Sequence, residues 1–145
     1  VRFLVRLNEH AEKKTLSAAK LIHPEGGSKQ ARIAEVVDTV VKSFSDTISV
    51  GQAAKMAGMT EATFSRNFHA VTGHSFVEFL TRIRIGEACG MLYATDDQII
   101  AIAQMTGFNN LANFNRHFQK LKGMTPSEYR DIARKDLAPK LESAS

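Results

Sequence analysis

A single cysteine, Cys89, occurs among the 145 residues, so no internal disulfide can form and a cytoplasmic chain is the natural expectation. No apolar run approaches the roughly 18 residues needed to cross a bilayer, which excludes a helical membrane span, and the amino end lacks the charged, apolar and small-residue succession of a secretory signal. Paired carboxylates, an activated nucleophile and a phosphate-cradling glycine loop are also missing; this argues against an enzyme, and neither a catalytic residue nor a cofactor is assigned. Surplus charge is scarce as well. Lys plus Arg number 19 against 15 Asp plus Glu, and between Ile48 and Lys135 the count is ten to seven. A pI near 9.4 invites a nucleic-acid partner, but so small an excess leaves that question open.

What is present describes one compact domain or two small ones, with 43% of residues apolar. Val1 in place of Met is what a piece of a longer protein would show. Strand signals are nearly absent, whereas apolar residues recur at three and four, so the chain is expected to be all-α. Ser49, Ser75, Thr95 and Thr125 are followed three places later by Gln52, Glu78, Gln98 and Glu128, the capping-box spacing. Pro126 suits a first helical position, and Gly58, Gly73, Gly107 and Gly123 stand where left-handed C-terminal caps belong. These signals predict helices over Gln30–Phe44, Val50–Ala57, Glu61–Thr72, Phe76–Tyr93, Asp97–Thr106, Asn110–Lys122 and Pro126–Arg134. Ahead of them, 1–28 is expected to hold one or two amphipathic helices, on Phe3, Leu4, Leu7, Leu16, Ala19 and Leu21, and a Pro24–Ser28 linker. Residues 29–93 and 94–135 form two further segments, and 136–145 a flexible tail.

The sequence repeats itself. A displacement of 50 lays Phe64 on Phe114, Arg66 on Arg116, Phe68 on Phe118, Gly73 on Gly123, Ser75 on Thr125 and Phe79 on Tyr129, and a displacement of 49 lays Ala54 on Ala103, Met56 on Met105 and Gly58 on Gly107. A short helix, a glycine turn and a second helix, given twice, is a duplicated helix-turn-helix pattern.

In each second helix the phenylalanines four apart fix the inward face. The outward stripe then holds Ala62, Ser65, Arg66 and His69 in the first copy and Ala112, Asn115, Arg116 and Gln119 in the second, with Thr63 and Asn113 bordering it near the helix N-termini. Such residues can enter a major groove: Arg can fork onto a guanine, Asn and Gln onto an adenine, and Ala can touch a thymine methyl. The predicted helix between the copies spans roughly 27 Å at about 1.5 Å per residue. It would serve as a spacer between successive major grooves, which recur about every 34 Å on one face of a duplex. Phe76, Leu80 and Ile83 would pack on the first lobe, and Ile85, Ala88 and Leu92 could serve both. Gly86 and Gly90, each costing about 1 kcal/mol against alanine in a helix interior, suggest close approach of another helix.

From Ile48 to Arg130 the chain resembles the AraC/XylS family of bacterial transcription regulators. The most specific stretches are Ile102–Phe108, Phe114-Asn115-Arg116-His117-Phe118 and Gly123–Arg130, matched in the first copy by Gly58-Met59-Thr60, Phe64–Phe68 and Gly73–Phe76, and by Arg84–Ala88 on the joining helix. The resemblance implies two homeodomain-like helix-turn-helix subdomains joined by a long central helix, with Arg66 and Arg116 at or near bases and helix N-termini at phosphates. It implies an activator that touches RNA polymerase. It also implies a sensor and dimerisation domain ahead of this chain, of which 1–28 would be a remnant and through which a homodimer would form. The first stripe is the poorer one, since Ala62 and Ser65 reach little and Glu61 would repel phosphate.

Plainer readings exist for several residues. The phenylalanines are core. His69, His74 and His117 come with no zinc-ligand spacing, so no metal is assigned. Cys89, on an apolar helix position with no histidine base nearby, is read as a buried structural thiol. The competing function is a helical protein–protein interaction module whose stripes bind protein instead of DNA.

Overall fold

The computed structural model describes residues 28–143, so the expected amphipathic helices over 1–22 and nearly all of the linker lie outside the described residues. Among the described residues there are seven helices and no strand: α1 (Ser28–Lys42), α2 (Val50–Met56), α3 (Glu61–Thr72), α4 (Phe76–Ala94), α5 (Ile99–Met105), α6 (Leu111–Lys122) and α7 (Pro126–Ser143). None is long and apolar enough to cross a membrane.

The caps explain most of these limits. Ser49 accepts from the Gln52 N–H at 3.1 Å while the Gln52 side chain accepts from the Ser49 N–H at 2.9 Å, a complete capping box for α2. Ser75 and Thr125 accept from the N–H groups of Glu78 and Glu128 at 3.2 Å. All four expected cap glycines have positive φ, between 66° and 95°, a conformation that costs an L residue a Cβ clash. Thr95 behaves differently. Its hydroxyl donates to the Met91 carbonyl at 2.8 Å and accepts from the Asp97 N–H at 3.3 Å, so it closes α4 and does not open α5. Gln98 is the N-cap of α5 and makes no side-chain cap bond, which is why that helix starts at Ile99, two residues later than the capping-box spacing suggested. At the other end α7 continues to Ser143, past Arg134 and into the stretch expected to be a tail. Lys135, Asp136, Leu137 and Ala138 are all compatible with a helix, which accounts for its continuation past Arg134.

The chain divides into two compact units between Ile83 and Arg84, within α4. The first unit buries Ile33, Val36, Val37 and Val40 of α1, the small residues Ala53, Ala54 and Ala57, Phe64 and Phe68 of α3, and Phe76 and Leu80 of α4. Its rings form one cluster, with Phe68 in edge contact with Phe76 at 5.6 Å and with Phe79 at 5.3 Å. The second unit buries Ile85, Ala88, Cys89 and Leu92 of α4 with Ile102, Ala103, Phe108, Phe114 and Phe118. There Phe118 meets Tyr129 edge-on at 5.6 Å, the counterpart of the Phe68–Phe79 contact. Each fully buried phenylalanine contributes about 1.5–3 kcal/mol, so these rings are the main anchors of both cores.

The position of the boundary follows from the apolar spacing. Ile33, Val36, Val37 and Val40 stand at i, i+3, i+4 and i+7 on α1, and Ile85, Ala88, Cys89 and Leu92 repeat that spacing on the second half of α4. Ile85, Ala88 and Leu92 therefore belong to the second core alone, and Cys89 is buried where the first copy has Val37. Gly86 lies on the exposed side of α4, and a Cβ there would meet nothing within 4 Å. Close helix approach is not the reason for that glycine.

Candidate nucleic-acid interface

Each candidate reading helix is twelve residues long and starts from a side-chain cap: Thr60 accepts from the Thr63 N–H at 3.3 Å on α3, and Asn110 from the Asn113 N–H at 2.7 Å on α6. Each ends on a left-handed glycine, Gly73 or Gly123, whose N–H returns to the carbonyl of His69 or Gln119. Phe64 with Phe68, and Phe114 with Phe118, are wholly inaccessible to solvent. With that face fixed, Ala62, Ser65, Arg66 and His69 are exposed on α3, and Ala112, Asn115, Arg116 and Gln119 are exposed on α6. Thr63 and Asn113 are half-buried at the start of each stripe. All ten candidate residues thus fall into two matching sets, one per unit.

The surroundings of the two stripes differ. In the first unit, Ser65, Arg66 and His69 line one wall of an open cleft, with Val50 and the Ser75–Val77 start of α4 on the others. A Cβ built on Gly51 would come within 2.7 Å of Glu61 Oε1, so the Glu61 carboxylate lies over the first turn of α2. A helix N-terminus favours an anion there, and Glu61 itself is exposed, beside the stripe whose phosphate contacts it was expected to oppose. In the second unit, the Asn113 side-chain oxygen accepts a hydrogen bond from Arg116 Nη2 at 2.6 Å. His117, half-buried next to Arg116, sits 6.1 Å from the Phe108 ring. Burial, and then the charges of Arg116 and Lys120, hold its imidazole below the ordinary histidine range, so it is neutral at pH 7.

Sequence reasoning missed two arginines that brace the second unit. Arg130 on α7 donates from Nε to the Leu92 carbonyl at 2.9 Å and from Nη2 to the Asp97 carbonyl at 2.7 Å. Arg134, one turn on, reaches the Thr95 carbonyl at 2.6 Å and the Asp96 carboxylate at 2.8 Å. Together they satisfy carbonyls that the end of α4 and the following loop leave without helical partners. Their four-residue spacing on one helix face was the available signal. Arg84 makes a third internal contact, its guanidinium 6.0 Å from the centre of the Phe108 ring. Among the described residues, no three His, Cys, Asp or Glu side chains group as metal ligands would.

Two compact helical units, each presenting a twelve-residue helix with an outward stripe of small, polar and cationic side chains, define a tandem helix-turn-helix protein. A family model described as a helix-turn-helix domain matches residues 53–132, more than half of the chain, and the chain belongs to that family, of the AraC type. An uncharacterised HTH-type transcriptional regulator of Staphylococcus aureus is 31% identical over 99 residues, which are 68% of this chain and 13% of that protein. The RCS-specific HTH-type transcriptional activator RclR of Escherichia coli K12 is 29% identical over 130 residues, 90% of this chain and 42% of its own. This chain therefore spans only part of those relatives. Among solved structures, the DNA-binding domain of AdpA, a global transcriptional factor in complex with a target DNA, matches with a TM-score of 0.70 and 28% identity, covering 72% of this chain and 95% of that one.

Proposed function

We propose that this chain is the sequence-specific, double-stranded-DNA-binding part of a bacterial transcription regulator, an activator that works by binding and not by catalysis. α3 and α6 are its reading helices, set in successive major grooves of one duplex. Ala62, Ser65, Arg66 and His69, and Ala112, Asn115, Arg116 and Gln119, face base edges, with Thr63 and Asn113 at the groove-entering ends. The single observation that carries this reading is the duplication of the exposed stripe. Two helices of equal length, capped alike and anchored by the same phenylalanine pair, expose an arginine at the same position. Solvation alone gives no reason to repeat it. The likeness to the AdpA domain, whose structure holds a target DNA, supports the DNA reading, and the description of RclR as an activator supports activation. Contact with RNA polymerase, dimerisation through a preceding domain, and a cytoplasmic location belong to the same proposal.

The test is selection of duplexes from a random pool at two salt concentrations, followed by titration of the selected site. DNA binding predicts that log affinity falls against log salt with a slope of roughly −0.9 per phosphate neutralised. Arg116→Ala should cost about 1–3 kcal/mol if its guanidinium forks onto a guanine. Footprinting should protect adjacent major grooves on one face, over about two helical turns. No sequence enrichment, no salt dependence and an indifferent Arg116→Ala would favour the protein–protein interaction module instead.

A further inference from the structure

The two stripes hold their arginines differently. On α6, the backbone N–H of Asn113 caps onto Asn110 Oδ1 at 2.7 Å, and the Asn113 side-chain oxygen takes Arg116 Nη2 at 2.6 Å. On α3 the equivalent residue is Thr63, whose hydroxyl accepts from the Thr60 hydroxyl at 3.0 Å, and Arg66 makes no hydrogen bond or ion pair among the described residues. Helix length, cap position, burial of the phenylalanine pair and exposure of the arginine are the same in both units. Among their differences, the one that touches the arginine is the residue three places before it, Thr63 or Asn113.

Resting on the DNA reading above, we infer that Asn113 is a positioning residue that pre-orients Arg116 for a guanine, so that the second unit carries most of the sequence discrimination while Arg66 supplies mainly affinity. The physical reason is rotamer freedom. An arginine free in solution must surrender its rotamers when it docks, which weakens binding by about 2- to 10-fold per side chain; one already held loses that freedom on folding instead. The guanidinium has five N–H donors, and giving one to Asn113 leaves four, enough for the two-bond fork onto guanine O6 and N7. A fixed fork also rejects an adenine more strictly, because it cannot swing away to a phosphate.

The experiment uses the whole chain and the site selected from the random pool. Arg116→Ala and Arg66→Ala first assign the base pair under each arginine, as the position where each variant flattens the substitution profile. The G·C→A·T change under Arg116 is expected to cost more than any change under Arg66. Asn113→Ala should lower affinity for the selected site by about 2- to 10-fold, shrink the penalty under Arg116 by the same factor and lower affinity for random-sequence duplex by less. Asn113→Asp, which keeps the acceptor, should keep the ratio of affinities for the G·C and A·T sites. Thr63→Asn should sharpen discrimination under Arg66. In the free chain, nitrogen relaxation at Nε should show Arg116 more ordered than Arg66, with Asn113→Ala removing the difference. Penalties that ignore Asn113 overturn the inference and leave the DNA reading standing, as does a flattened profile at a neighbouring adenine, which would make Asn113 itself a reader. A chain that enriches no sequence sinks both.

Discussion

Arg130→Lys isolates what the α7 arginine contributes, because it keeps the charge and removes the fork. In the native chain one planar group meets two carbonyls, Leu92 through Nε at 2.9 Å in a half-buried setting and Asp97 through Nη2 at 2.7 Å at the surface. Hydrogen bonds from charged donors contribute about 1.5–3 kcal/mol when shielded, and far less where water can replace the donor. The Leu92 bond therefore accounts for about 1.5 kcal/mol and the Asp97 bond for about 0.5 kcal/mol, so Arg130→Ala should cost about 2 kcal/mol. A lysine ammonium is a compact point charge that reaches one of the two carbonyls, and Arg130→Lys should still cost about 1 kcal/mol. Arg134 is the control: its partner Asp96 is 92% exposed, and Arg134→Ala should cost less than about 1 kcal/mol. Urea unfolding followed by circular dichroism measures all three, with the comparison made on midpoints at unchanged slope. The clamp is refuted if Arg130→Lys matches the wild type, since charge alone would then suffice, or if Arg134→Ala is the most damaging of the three.

Gly86→Ala should stabilise the chain by about 1 kcal/mol, because an added Cβ meets nothing and only helix propensity changes; a lower urea midpoint would show that α4 needs the glycine's backbone freedom. The Tyr129 phenol is pushed up to about 12 by burial and by the Cys89 thiol that it hydrogen-bonds. The unfolded chain loses that proton near pH 10, so this contribution to stability is complete below pH 10 and is lost as pH rises toward 12. Tyr129→Phe should flatten that alkaline limb of the urea midpoint; a limb of equal steepness in the variant would assign it to other groups. His117 has the opposite sense: its pKa lies below the ordinary 6.5, so stability is complete above pH 6.5 and falls as the pH drops below that value, when the unfolded chain takes up the proton more readily. His117→Gln should reduce the acid slope, and an unchanged slope would contradict the burial of that imidazole.

The helix-turn-helix pair was legible because its determinants are local. Cap residues and positive-φ glycines act over three or four positions, and the phenylalanines four apart orient α3 and α6 without help from the rest of the chain. The correspondence between α1 and the second half of α4 was less legible. α1 and the second half of α4 share their apolar spacing at a displacement of 52, not 50, and only Ile33 and Ile85 are the same residue; Val36, Val37 and Val40 face Ala88, Cys89 and Leu92. Small shifts in loop length erased the register, and a core tolerates exchange among apolar residues when total volume and patterning are kept, as where Val36 faces the smaller Ala88 and Val40 the larger Leu92. Thr95 misled for a related reason. A hydroxyl three residues before a glutamine fits a cap, but it fits equally the end of a preceding helix, where it can bond back to the i−4 carbonyl, and at Thr95 that second use prevails.

The copies show which constraints duplication preserves. Positions that answer to backbone geometry are retained as types on the two reading helices: glycine at each αL cap, and a capping side-chain oxygen at each N-cap, Thr60 in one and Asn110 in the other. Positions that answer to the core keep the aromatic contacts, so that Phe79 can become Tyr129 while its ring still meets the helix phenylalanine edge-on, at 5.3 Å in one unit and 5.6 Å in the other. The exposed stripe answers to neither constraint, and there Ser65 faces Asn115, His69 faces Gln119 and Thr63 faces Asn113, with Ala62 and Arg66 retained in Ala112 and Arg116. The helices also differ off the stripe, at Glu61 and Leu111, Asn67 and His117, Val71 and Leu121, and Thr72 and Lys122, but the stripe differences are the ones that two different half-sites would require. A recognition surface under that demand changes its small polar residues first, because each alters a base contact without disturbing the phenylalanines beneath it.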